Sequence, residues 1–312
     1  MTARAPRIGC FGVHIVDVLG TPIDSIPETG LSTRIDRIRF TAAGTAAGTA
    51  VDLARLGCEV TTVGAVGDDE IGRFLFGVLE RAGVPTSHLA VLPGQQTAAT
   101  MLTVRSDGER PTFHVRGANA AVRWEDLDTE ALFSCDAVHI GGLDSMAAMD
   151  LFAVIGLMDG LRAAGILVTL DFQASSRFLT PDLMPLLGHC DVFLPNLEQA
   201  QGMTGDDDPD RAADALLALG AGAVAMTLGA DGVLYASGRE RFRVGGVAVD
   251  VVDTTGCGDA LSATFLAATV RGLPVREALE LGVLAASRVA TGLGSDHGDL
   301  DWNDLITSGA RV

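Results

Sequence analysis

From Cys135 onward the chain alternates short apolar runs with longer helical patterns, and this period constrains the fold more than any other feature. Residues 137–140 read as a strand, 146–164 as a helix, 166–171 as a strand, 181–187 as a short helix and 191–194 as a strand. Apolar strands separated by helices build a parallel sheet covered on both faces. The expected fold class is α/β, a doubly wound, mostly parallel sheet flanked by helices. In such sheets ligands gather beyond the carboxyl ends of the strands. Asp144, Asp171 and Asn196 each sit just past such an end. Upstream, residues 7–13 and 60–66 read as further strands, and 70–82 as a helix.

The most specific chemistry lies in Val251-Val252-Asp253-Thr254-Thr255-Gly256-Cys257-Gly258-Asp259. The two valines read as the end of a strand. The threonines and glycines form a turn whose N–H groups can converge. A helix pattern then runs from Asp259 to Gly272. A glycine turn at a helix N-terminus favours an anion, because the first N–H groups lack internal partners and the dipole is positive there. Asp259 beside such a cradle has two readings. It caps the helix, or it takes a proton from a hydroxyl that attacks a bound phosphate.

Composition narrows the chemistry. All 22 basic residues are arginine. Without lysine there is no P-loop, no protein-kinase strand lysine and no Schiff base. A phosphate site here must rest on backbone amides, arginine and metal. The net charge of −18 argues against nucleic acid or an anionic membrane as partner. Five scattered cysteines form no Cys-x-x-Cys, which fits a reducing cytoplasm. The start of the chain shows no apolar signal region, and no run reaches membrane-spanning length. The six histidines show no metal spacing. Neither Gly256-x-Gly258 nor Gly292-x-Gly294 fits a dinucleotide fingerprint.

Asp253-Thr-Thr-Gly-Cys-Gly-Asp259 resembles the C-terminal signature of the ribokinase-like (PfkB) carbohydrate kinases, commonly Asp-Thr-x-Gly-Ala-Gly-Asp, with Cys257 in place of Ala. Further matching segments follow in order. Gly12 to Asp17 resembles the family's Gly-x-x-x-x-Asp. Gly44, Ala50, Leu56-Gly57 and Val66-Gly67-Asp68-Asp69 resemble its N-terminal signature. Asn196-Leu197-Glu198-Gln199 resembles Asn-x-x-Glu, and Thr227-Leu228-Gly229-Ala230-Asp231-Gly232 resembles its nucleotide loop.

The resemblance implies one ribokinase-like domain over 1–312 with a small β-sheet lid from segments about 13–41 and 97–117. It implies an ATP-dependent sugar kinase. Asp259 is the implied general base, with the amides of Gly256, Cys257 and Gly258 as anion hole. Asp17, Gly44, Gly48 and Arg116 are implied at the sugar, and Asn196, Thr227, Gly229 and Gly232 at the nucleotide. Mg2+ is implied with ATP, and Asp253 as part of a site for a monovalent cation such as K+. The family's sugar-contacting Asn falls on Gly48, which leaves room for a bulkier substrate and removes a donor. Gln199 stands at the family's Glu, a weaker Mg2+ ligand than carboxylate. A nucleoside substrate, a sugar phosphate held by Arg105 and Arg116, and a non-catalytic sensor remain open alternatives. A homodimer through the lid is expected.

Two local patterns bear on the lid. Residues 32–41 alternate like a strand, and residues 100–116 carry Asp107-Gly108 between alternating runs, a hairpin signal. Cys257, at a helix N-terminus, is also expected to ionise easily and react.

Overall fold

The computed structural model describes residues 4–107, 109–173 and 181–309. In chain order the strands are β1 (Arg7–Gly12), β2 (Ile15–Thr21), β3 (Arg37–Ala43), β4 (Glu59–Gly67), β5 (Leu89–Leu92), β6 (Ala99–Thr103), β7 (Thr112–Val115), β8 (Ala137–Gly141), β9 (Leu167–Asp171), β10 (Val192–Phe193), β11 (Ala223–Thr227), β12 (Val233–Ser237) and β13 (Arg241–Val244). The helices are α1 (Thr45–Arg55), α2 (Glu70–Arg81), α3 (Gly117–Ala121), α4 (Leu151–Ala163), α5 (Leu197–Thr204), α6 (Pro209–Ala218), α7 (Cys257–Val270), α8 (Val275–Ala290) and α9 (Trp302–Gly309).

Among the described residues the strands form two sheets. The larger has the order β13-β12-β11-β10-β9-β8-β1-β4-β5. Its pairs are parallel from β5 to β11, and β12 and β13 close one edge antiparallel. The chain leaves β1 towards β4 on one side and resumes at β8 on the other. That reversal opens a crevice at the carboxyl ends of β1 and β8, the expected place for a ligand.

Alternate residues of each strand feed separate cores on the two faces. Ile8, Cys10 and Val60 join α1, α7 and α8 on one face. Phe11, Val63, Ile140 and Leu170 join α4 and α6 on the other. Each fully buried Leu or Phe contributes roughly 1.5–3 kcal/mol of transfer free energy. Helix α7 is buried without interruption from Ala260 to Ala268. Its small residues let α1 and α8 pack closely around it. A helix enclosed on all sides has little freedom to tilt, so its N-terminus is a firm platform.

The smaller sheet has the order β3-β2-β6-β7. Asp17, read as lying beyond the first strand, sits in the middle of β2, held between β3 and β6. The alternation over 32–41 becomes a strand only from Arg37, since Arg37 to Ala43 alone pair with β2. The 100–116 hairpin also differs. Strands β6 and β7 are joined by residues 104–111 instead of a two-residue turn, and Gly108 lies outside the described residues.

The valines before the glycine turn are not a strand. Val251 and Val252 are exposed. The Val252 N–H donates to Ala290 O at the end of α8, so its backbone is satisfied by a helix terminus instead of a neighbouring strand. The helix expected from Met146 starts at Leu151, where Asp150 accepts from the N–H groups of Phe152 and Ala153.

Candidate active site

Gly256 precedes α7 with φ +83, a left-handed conformation that a glycine adopts without strain. A Cβ there would lie 2.5 Å from Ser295 Cα, so Ser295 presses directly on the turn. Among the described residues the N–H groups of Gly256, Gly258 and Asp259 meet no protein acceptor, and that of Cys257 makes only a long turn contact to Thr254 O at 3.3 Å. The beginning of α7 therefore presents unused donors.

Asp259 lies in the first turn of that helix, half-buried. It does not cap α7; the N-cap is Gly256, with no side-chain cap bond. Burial, with the charge of Asp17 added, pushes its carboxyl from the usual range up to about 7. Asp17 is also pushed up to about 7, by burial first, while a hydrogen bond from Thr100 works the other way. Asp171, at the end of β9, is raised by burial and then by the charges of Asp259 and Asp144. Acidic groups gathered in a poorly solvated crevice hold protons near neutrality.

Helix α1 forms the opposite wall. Gly44 is its N-cap. A Cβ on Gly48 would lie 2.4 Å from Asp259 Oδ2 and 2.8 Å from its Cγ. The space expected beside Gly48 for a bulky substrate is thus used by the Asp259 carboxyl itself. Gly48→Ala is expected to raise helix stability by up to about 1 kcal/mol yet lower kcat at least about tenfold by turning the carboxyl away. Melting temperature and kcat measured together check this. Unchanged kcat would show that α1 does not position the group.

The small sheet carries a polar row towards this crevice. Register sets Thr41, Asp17, Thr100 and His114 side by side on four strands. His114 Nδ1 lies 3.1 Å from Thr100 Oγ1. Neither Thr100 nor His114 stood out in the sequence, because only the register reveals the row. Thr45 Oγ1, in the first turn of α1, is buried without a partner among the described residues. Arg116 is exposed beside His114, whose ring it holds, after burial, below the usual histidine range.

Asp253 is tied into the protein on every side. Its Oδ1 accepts from Thr255 N at 3.0 Å, Thr255 Oγ1 at 2.7 Å and Arg110 Nη1 at 3.0 Å. Its Oδ2 accepts from Gly294 N at 2.9 Å. Arg110 Nη1 also donates to Thr255 Oγ1 at 2.6 Å. In the sequence Arg110 looks like one more surface arginine; in the fold it reaches the glycine turn through Asp253 and Thr255.

The nucleotide candidates gather at the ends of β10 and β11. Asn196 pairs with Thr227 in a single parallel bridge. Gly229 and Gly232 flank the turn between the antiparallel strands β11 and β12. Asn196 and Gln199 form a reciprocal cap on α5: Asn196 N donates to Gln199 Oε1 at 2.9 Å, and Gln199 N to Asn196 Oδ1 at 2.8 Å. Gln199 Nε2 further donates to Phe172 O. Glu198 is exposed.

The reactive-thiol expectation for Cys257 does not hold. Its Sγ donates to Ala286 O at 3.4 Å, within the contact between α7 and α8. Burial pushes the thiol up to about 12, and the charge of Arg110 only partly opposes it. The helix terminus favours a thiolate only where solvent or a cation can reach it.

A wound α/β sheet with a half-buried carboxyl at the start of an amide-bearing helix is the arrangement that phosphoryl transfer to an alcohol needs. The model of the pfkB family carbohydrate kinases matches residues 6–302. The chain belongs to this family and is a sugar kinase. An uncharacterized sugar kinase of Archaeoglobus fulgidus is 30% identical over 79% of this chain and 97% of its own. An ATP-dependent ribose-1-phosphate kinase of Halopiger xanaduensis is 31% identical over 85% and 87% respectively. Arabidopsis thaliana ribokinase, solved with ribose and ATP, shares the fold at a TM-score of 0.83, with 24% identity over 98% of this chain and 99% of that one. Among the described residues no helix is long and apolar enough to cross a membrane.

Proposed function

We propose that the protein transfers the γ-phosphate of ATP to a hydroxyl of a small carbohydrate, with Asp259 as general base. The observation that carries this reading is the pairing of a carboxyl near neutrality with unused amides at the start of one buried helix. The acceptor hydroxyl gives its proton to Asp259, its oxygen bonds to the γ-phosphorus, and the bond to the β-phosphate oxygen breaks. ADP leaves with that electron pair. The amides of Gly256 and Gly258, with Cys257 as a weaker third, meet the charge on the moving phosphoryl group.

Asp17 is suited to orient sugar hydroxyls, since a carboxylate accepts two hydrogen bonds at once. Thr45, Thr100 and His114 extend the polar lining. The Thr227 to Gly232 turn fits the nucleotide. Mg2+ supplies charge neutralisation on the terminal phosphates. It would be held there by the nucleotide phosphates as the Mg·ATP complex.

The small sheet fits the role of a lid that excludes water during transfer. Its outer face exposes Ile38, Phe40, Met101, Phe113 and Val115. A contiguous apolar sheet face favours pairing with a second copy. Phe113→Glu should convert a dimer to a monomer in sedimentation equilibrium; a monomeric parent protein would end that part of the reading.

The function is tested by incubating the protein with ATP and Mg2+ over a panel of neutral sugars, ribose 1-phosphate and nucleosides, following ADP and the phosphorylated product by 31P NMR. The expected result is one new sugar phosphate ester per ADP. Sugar binding without any product would favour a sensor instead.

A further inference from the structure

We infer that Arg110 fills the place of a monovalent cation at Asp253, so that this protein carries its own fixed charge behind the anion turn and needs no K+. The inference rests on the kinase reading for the location of the turn, but its binding arm is independent of turnover.

Three observations carry it. The Asp253 side chain is fully excluded from solvent, and the Arg110 guanidinium 3.0 Å away balances its charge. A carboxylate offers about four acceptor directions; Oδ1 already takes three donors and Oδ2 a fourth. An added cation would displace one of these and face a guanidinium at close range.

Several neighbouring oxygens are claimed in the same way. A monovalent cation needs several carbonyl or carboxylate oxygens around it, and Gly294 and Ser295 bring residues 293–296 up to the turn. Arg39 Nη1 donates to Leu293 O at 2.5 Å and its Nη2 pairs with Asp296 Oδ1 at 2.8 Å. Arg55 Nη2 donates to Asp296 O at 2.8 Å. The Ser295 hydroxyl donates to Ala42 O at 2.7 Å. Guanidinium groups from the small sheet and α1 thus bind oxygens that would otherwise be free to surround an ion. Arginine suits this role, since its planar fork stays charged and reaches two oxygens at fixed angles.

The residues at Asp253 therefore do not fit the cation that the family resemblance implies. The chain has replaced a diffusible charge with a covalently attached one.

The test compares the parent protein with Arg110→Ala in K+ and in choline at equal ionic strength. The parent should turn over at rates within about twofold in the two salts. Arg110→Ala should lose about tenfold or more in choline, because an uncompensated buried carboxylate disturbs the turn, and should regain several-fold in K+ or guanidinium. Crystals soaked in Tl+ should show no ion at Asp253 in the parent and an ion there in Arg110→Ala. Stimulation of the parent by K+ of about tenfold or more, or Tl+ at Asp253 in the parent, would overturn the inference. So would Arg110→Ala matching the parent's rate in choline. Absence of product in every salt would fault the kinase reading alone, and the Tl+ soak would still decide the occupancy of Asp253.

Discussion

Replacing Asp259 with Asn is expected to leave sugar and nucleotide affinity nearly unchanged and to lower kcat by about 10²–10⁴-fold, the usual contribution of a positioned base. The amide keeps the shape and hydrogen-bonding reach of the carboxyl but cannot take the proton. The parent's kcat/KM should fall about tenfold per pH unit below its plateau, with the bend at the carboxyl's value of about 7.

Stability should move in the opposite direction. A carboxyl whose folded value is raised binds its proton more tightly in the native state. The stability it contributes is present below the unfolded value of 3.8 and is lost as pH rises through about 7. Asp259→Asn removes this penalty, so its melting temperature should exceed the parent's at pH 8 and approach it at pH 5. Loss of activity together with a lower melting temperature at pH 8 would mean that the side chain holds the fold together instead of serving the reaction.

Gly256→Ala carries the second large effect. Alanine at φ +83 costs roughly 1–2 kcal/mol. Its Cβ would also stand 2.5 Å from Ser295 Cα and 3.0 Å from Ser295 O, both backbone atoms that cannot rotate aside. The turn or the 293–296 segment must shift, and the amides leave the line of the phosphoryl group. Removing a single oxyanion donor typically costs about 10²–10³-fold in kcat, and a comparable loss is expected here with a lower melting temperature. A variant that retained kcat within about fivefold would show that the amides at this terminus do not meet the transferring group.

The wound sheet was legible in the sequence because apolar strands and helices alternate from Cys135 onward, and burial on both faces leaves little ambiguity in that pattern. The glycine turn before α7, with Asp259 in the first helical turn, was legible because glycines followed at once by a helical apolar pattern mark a helix start. The cross-strand row was not. Thr100 and His114 acquire meaning only when β2, β6 and β7 align, and register between distant strands leaves no local mark. Arg110 was hidden for a related reason, since its partner lies 143 residues away. The valines at 251 and 252 misled because β-branched residues signal strands, whereas their backbone is used by the end of α8. Cys257 misled because the pull of a helix terminus was weighed without the burial that opposes it.

The short run of residues 293–296 is a shared wall. It answers to β3 through Arg39, to α1 through Arg55 and to the glycine turn through Gly294 and Ser295. Anyone redesigning this protein for a new acceptor would look first to the small sheet, whose strand β3 carries both Thr41 and Arg39. Remodelling that strand also moves the partition behind the phosphate pocket. On the proposed reading, acceptor choice and catalytic rate are thereby mechanically linked, and a library that randomises the small sheet alone is expected to lose members to slow turnover as well as to poor recognition.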